Sequence, residues 1–71
     1  MTNKNLLISK IKLYGDTQQT LAEYIGVSLT RLNAKINGTN GAEFSQSEIA
    51  KIKEKYNLTG EEVIQIFLSN L

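Results

Sequence analysis

The chain has 71 residues, no Cys, no His, no Pro and a formal net charge of +1. A chain of this length supports one domain with a thin core, because a domain so small hides only about 60% of the surface its unfolded chain exposes. Without Cys or His it lacks a disulfide, a thiol nucleophile, an imidazole base and a zinc-type ligand set, so enzymes and metalloproteins are disfavoured and no cofactor is expected.

The opening stretch, MTNKNLLISKIKLY, carries Leu7, Ile11 and Tyr14 at helical spacing. It predicts a helix over residues 5–14, ended by Gly15. Lys10 and Lys12 break its apolar run, which is too short for a membrane span and lacks a signal-peptide cleavage pattern. The expected location is therefore the cytoplasm. Thr17 can cap a second helix that runs to Ile25, with Leu21, Ala22 and Ile25 facing inward and Tyr24 at the edge. Gly26 follows at a position where a side chain is expected to obstruct a tight turn. Ser28 can cap a third helix, and Val27 with Leu32 fits a hydrophobic staple across that cap.

The third helix is polar on one side and apolar on the other. Leu32 and Ile36 form the apolar stripe; Leu29, Thr30, Asn33 and Asn37 share the opposite face. Short polar side chains there can reach base edges, and Leu29 can touch a thymine methyl group. Arg31 and Lys35, four apart, form a flank suited to phosphates. The free N–H groups near Thr17 and Gln18 suit a phosphate oxygen. Two short helices joined at Gly26-Val27-Ser28 have the pattern of a DNA-reading helix-turn-helix.

Residues 37–42, NGTNGA, hold two Asn-Gly pairs and read as a loop; the flanks are helical, so a hairpin is rejected. Ser45 with Glu48 forms a capping box for a fourth helix, stapled by Phe44 and Ile49, with Ile49, Ile52 and Tyr56 inward. Thr59 with Glu62 repeats the device for a fifth helix, stapled by Leu58 and Val63 and continuing through Ile66 and Phe67 towards Leu71. The expected fold is all-α, one domain of five short helices over residues 1–71, with the helix-turn-helix at about 17–37. The aromatic residues Tyr14, Tyr24, Phe44, Tyr56 and Phe67 are spread over several helices, so they are expected in core or interface rather than stacked on bases.

Charge is uneven along the chain. Residues 1–40 carry Lys4, Lys10, Lys12, Arg31 and Lys35 against Asp16 and Glu23, a net of +3; residues 41–71 carry three Lys against five Glu, a net of −2. The half with the candidate reading helix is the basic half, which favours an anionic partner on that side.

Gln18, Leu21, Ala22, Gly26, Val27, Leu32 and Gly38 stand in the order Q-x-x-L-A-x-x-x-G-V-x-x-x-x-x-L-x-x-x-x-x-G. In these residues the chain resembles the phage Cro and repressor type of helix-turn-helix, over essentially the whole domain. The segment FSQSEIAKIKEKYNLTGEEVIQIFL is similar to that of small phage regulators of Gram-positive hosts. The resemblance implies a lambda-repressor-like DNA-binding fold and a homodimer on a pseudo-palindromic operator, with no small-molecule ligand and no membrane. It places base contacts on Ser28, Leu29, Thr30, Asn33 and Ala34, and phosphate contacts on Gln18 and Asn37. It places the dimer contact on Phe67, Leu68 and Leu71. The chain departs from the family at Lys35, where an apolar residue is usual and Ile36 is expected to take its role. It departs again in the cation-free loop after the third helix. Leu29 and Ala34 replace longer polar readers, which shifts discrimination towards DNA shape. No cleavage or effector domain is expected to follow, which suits a Cro-like regulator. The alternative reading is a protein-interaction module of the same fold, of antitoxin or anti-regulator type, favoured by the low net charge and the uncharged loop.

Overall fold

Every helix begins where the sequence supplies a short side-chain oxygen. The computed structural model of the protein describes residues 2–68. Among them are five α-helices: α1 (Lys4–Leu13), α2 (Gln18–Ile25), α3 (Leu29–Asn37), α4 (Gln46–Lys55) and α5 (Gly60–Phe67). A single 3-10 turn, Thr39–Gly41, lies in the loop after α3. Asn3, Thr17, Ser28, Ser45 and Thr59 are the N-caps, and each side chain accepts a backbone N–H three residues on. Such a cap satisfies one of the donors that a helix start leaves unpaired, and stabilises by about 1 kcal/mol. At Ser45 and Thr59 the boxes close in both directions: the N–H of Ser45 donates to Glu48 Oε1 (2.8 Å), and that of Thr59 to Glu62 Oε1 (2.9 Å).

Left-handed residues follow the ends of α1, α2, α3 and α4. Gly26 (φ 82°) ends α2, and the N–H groups of Gly26 and Val27 both donate to the Ala22 carbonyl (2.9 and 3.0 Å). A Cβ built on Gly26 meets nothing within 4 Å. The expectation of steric obstruction is therefore corrected: glycine is needed for its backbone angle, not for room. After α4, Asn57 takes the left-handed position (φ 50°), a role Asn fills where glycine is absent.

One core joins all five helices. Leu7 and Ile11 come from α1, Leu21, Ala22 and Ile25 from α2, Leu32 and Ile36 from α3, Ile52 from α4, and Ile66 and Phe67 from α5. Tyr56 and Leu58 close it from the α4–α5 connection, with Val27, Ile49 and Val63 packed against its edge. Phe44 and Phe67 meet edge to face, ring centroids 5.4 Å apart, in the geometry aromatic pairs favour. Phe67 is thus a core residue at 5% exposure, which corrects its expected place in a dimer interface. α5 packs its Ile66–Phe67 side towards α1 and α4 and leaves Ile64 and Leu68 outside, each 54% exposed. Leu71 lies outside the described residues.

Tyr14 also departs from expectation. α1 ends at Leu13, one residue earlier than the spacing predicts, and Tyr14 sits at its C-cap as an exposed residue. Its ring lies 5.1 Å from that of Tyr56, and its hydroxyl donates to the Tyr56 carbonyl (2.8 Å). Tyr56 holds the core position instead and donates its hydroxyl to Asp16 Oδ2 (3.0 Å), which also takes Lys55 Nζ at 3.3 Å. Burial, then the neighbouring Asp16 carboxylate, pushes the Tyr56 hydroxyl well above the usual tyrosine range, so it stays a donor. Asp16 thereby fastens the α1–α2 turn to the end of α4.

Candidate nucleic-acid interface

α2 and α3 pack directly on each other, and the tight connection Gly26-Val27-Ser28 leaves little freedom between them. The apolar stripe of α3, Leu32 and Ile36, is buried against the core. Helical geometry then turns the opposite side outward. Leu29, Thr30, Asn33 and Asn37 are exposed, as are Ser28 and Arg31, while Ala34 is half-buried at the border. The rigid element and its outward polar row are what the periodicity predicts.

The individual groups differ in what they have left to offer. Ser28 Oγ accepts the Arg31 N–H (3.1 Å), so its hydroxyl hydrogen is the free part. Asn37 donates Nδ2 to the Asn33 carbonyl (2.9 Å), which commits one of its two amide hydrogens to the helix itself. Thr17 Oγ1 accepts the Thr20 N–H and lies 3.0 Å from the Thr20 hydroxyl. Gln18, half-buried at the first turn of α2, stands beside the N–H groups that this turn leaves without helical partners.

Lys35 is the main correction. It belongs to the inward side of α3, 8% exposed, and its ammonium donates to Glu48 Oε1 (2.9 Å) and to the Glu43 carbonyl (3.2 Å). It is three residues from Leu32 and one from Ile36, so it extends the apolar stripe rather than the basic flank. Its long stem packs there, and its charge is met by an acid from α4. Burial pushes the Glu48 carboxyl up, but hydrogen bonds from the Ser45 N–H and from Lys35, with the Lys35 charge, outweigh it and hold Glu48 below the usual range. Lys35 therefore holds α3 to α4 and is not available to a phosphate. Arg31 is the cation that α3 leaves to solvent.

Among the described residues, three ion pairs tie the basic half of the chain to the acidic half. Lys10 pairs with Glu62 at 2.6 Å, Lys35 with Glu48 and Lys55 with Asp16, and each bridge joins one half of the chain to the other. The contact from Lys10, then the Thr59 N–H, lowers Glu62 as well. These partners lie 52, 13 and 39 residues apart, so the sequence alone does not show that they pair.

Two further features escaped the sequence reading. Ile64 is exposed beside Leu68 on α5, and the signal was an apolar helix with more hydrophobic positions than one face can bury. Leu13, at 72% exposure, projects from the end of α1. Among the described residues there is no group of three or more acidic, His or Cys side chains placed to hold a metal ion, and no helix long and apolar enough to cross a membrane. A hollow of about 120 Å³ lies between Thr2, Glu43, Phe44, Ile49, Phe67 and Leu68. Comparison with known protein families, with curated proteins and with solved structures finds no match, so the functional reading rests on these residues alone.

Proposed function

We propose that this protein is a sequence-specific DNA-binding regulator, Cro-like in mode, in which α2 and α3 form a helix-turn-helix and α3 enters the major groove. The observation that carries the reading is the division of α3: Leu32, Lys35 and Ile36 are held by the protein, while Leu29, Thr30, Asn33 and Asn37 are turned to solvent on a rod fixed at both ends. A groove-reading helix needs this division, because its base-facing side must be hydrophilic and its orientation must not drift. Thr30 and Asn33 are the readers of base edges, Leu29 the contact to a thymine methyl, and Arg31 with the α2 start at Thr17 and Gln18 the phosphate grip. The protein acts by occupying its operator in the cytoplasm and performs no bond chemistry. It works as a homodimer with half-sites about 34 Å apart, joined through Ile64 and Leu68, two of its exposed apolar side chains.

A second reading has its own support. Arg31 is the single solvent-directed cation of α3, and Leu29 is exposed beside it, a combination that also suits a protein partner. Fluorescence anisotropy of a labelled duplex, titrated at several salt concentrations, separates the two. DNA binding predicts affinity that falls with salt, and a slope reduced by about 1 in Arg31→Ala. Absence of duplex binding at low ionic strength leaves the interaction module as the function.

A further inference from the structure

The loop after α3 holds Asn37-Gly38 and Asn40-Gly41, two copies of the dipeptide most prone to intramolecular imide formation. Glycine leaves its own amide nitrogen unshielded, and that nitrogen is the nucleophile that attacks the preceding side-chain amide. By sequence the two pairs are equivalent; in the fold they are not. Asn37 is the last residue of α3, its Nδ2 is held by the Asn33 carbonyl, and the Gly38 N–H donates to the Ala34 carbonyl as the helix cap. Both reacting groups of this pair are tied into the helix end. Asn40 is exposed in the 3-10 turn with left-handed backbone (φ 53°, ψ 33°), and its side-chain amide has no partner among the described residues. The Gly41 N–H makes one long bond, 3.3 Å, to the Gly38 carbonyl. Little holds this pair back.

We propose that Asn40, and not Asn37, is a site of spontaneous deamidation in the folded protein. The deprotonated Gly41 nitrogen attacks Cγ of Asn40; the N–Cγ bond forms, the Cγ–Nδ2 bond breaks and ammonia leaves. Water then opens the five-membered imide. Attack at Cγ gives aspartate, and attack at the main-chain carbonyl carbon gives isoaspartate, in which the chain runs through the former side chain. No oxidant or reductant takes part. The product carries a new carboxylate three residues beyond the end of α3, and the chain's net charge falls from +1 to zero. The step does not depend on what the protein binds.

Incubating the whole folded protein at mildly alkaline pH and locating the amide-to-acid mass change by fragment ions between residues 37 and 40 tests it. Conversion at Asn40 is expected to exceed that at Asn37 by about tenfold or more, because the Asn37 pair reacts only after the helix end opens. In urea the two sites are expected to approach one rate. An Asn40→Gln variant, checked for native helicity, should lose the acidic species that accumulates on ion exchange. Equal or faster conversion at Asn37 in the folded state, no folded-state conversion while the unfolded chain converts, or an unchanged acidic species in N40Q overturns the proposal.

Discussion

Lys35→Met keeps the volume and stem of the residue and removes its charge. In the folded protein this deletes the bond to Glu48 and the bond to the Glu43 carbonyl, at 2.9 and 3.2 Å. A hydrogen bond to a charged group contributes about 1.5–3 kcal/mol, and breaking a fully buried ion pair from one side costs about 3–5 kcal/mol. Glu48 is not fully stranded, because its side chain is 14% exposed and keeps the Ser45 N–H. The expected loss is therefore about 2 kcal/mol, a large share of the ~4–10 kcal/mol available to a chain of this size. At roughly 4–8 °C per kcal/mol the melting midpoint should fall by about 8–16 °C. Urea denaturation followed by far-ultraviolet circular dichroism measures it, with Glu48→Gln and the double variant completing a cycle. Coupling of about 1 kcal/mol or more is expected, since each partner's removal leaves the other buried. A Lys35→Met protein within 0.5 kcal/mol of the parent would show the ammonium already solvated, and would return Lys35 to the surface cations that a phosphate can reach.

Three more expectations follow from the packing. Gly26→Ala should destabilise by about 1–2 kcal/mol through its left-handed backbone although the space is open, and Gly26→Asn should lose less; equal effects of the two would place the cause elsewhere. Acid should weaken the fold from the Glu48 side: its folded carboxyl titrates below the unfolded one, so the unfolded chain takes up protons first and stability drops as pH falls through and below about 4.3. The melting midpoint against pH should show that drop, and Glu48→Gln should flatten it. Phe67→Ala should cost about 3–5 kcal/mol as a core deletion, whereas Leu68→Ser should leave monomer stability nearly unchanged and reduce self-association in sedimentation; the reverse ranking would restore Phe67 to the interface.

What the sequence made legible is local. Ser45 and Glu48, or Thr59 and Glu62, lie three residues apart, so helical geometry alone brings cap and box together. The stripe of α3 was legible for the same reason, apart from Lys35. That residue occupies a core-side position whose partner, 13 residues away, is supplied by the packing of α3 against the start of α4. The Asp16–Tyr56 bond, spanning 40 residues, was invisible in the same way, and Asp16 counted in the sequence only as one of the charges of residues 1–40. In α5 the apolar residues outnumber the positions of one face, so periodicity could not say whether Phe67 or Ile64 points inward. The Asn-Gly pairs looked alike until the backbone showed one bound to the helix end and the other loose.

Selection from a random pool of duplexes, run with the parent protein and with Asn33→Ala, decides whether α3 reads base pairs. A groove-reading α3 should enrich an inverted repeat with half-site centres about one duplex turn apart, and the variant should change preference only at particular base pairs, at roughly 1–3 kcal/mol of discrimination. An unenriched pool, or the same sites enriched to the same degree by parent and variant, would contradict it.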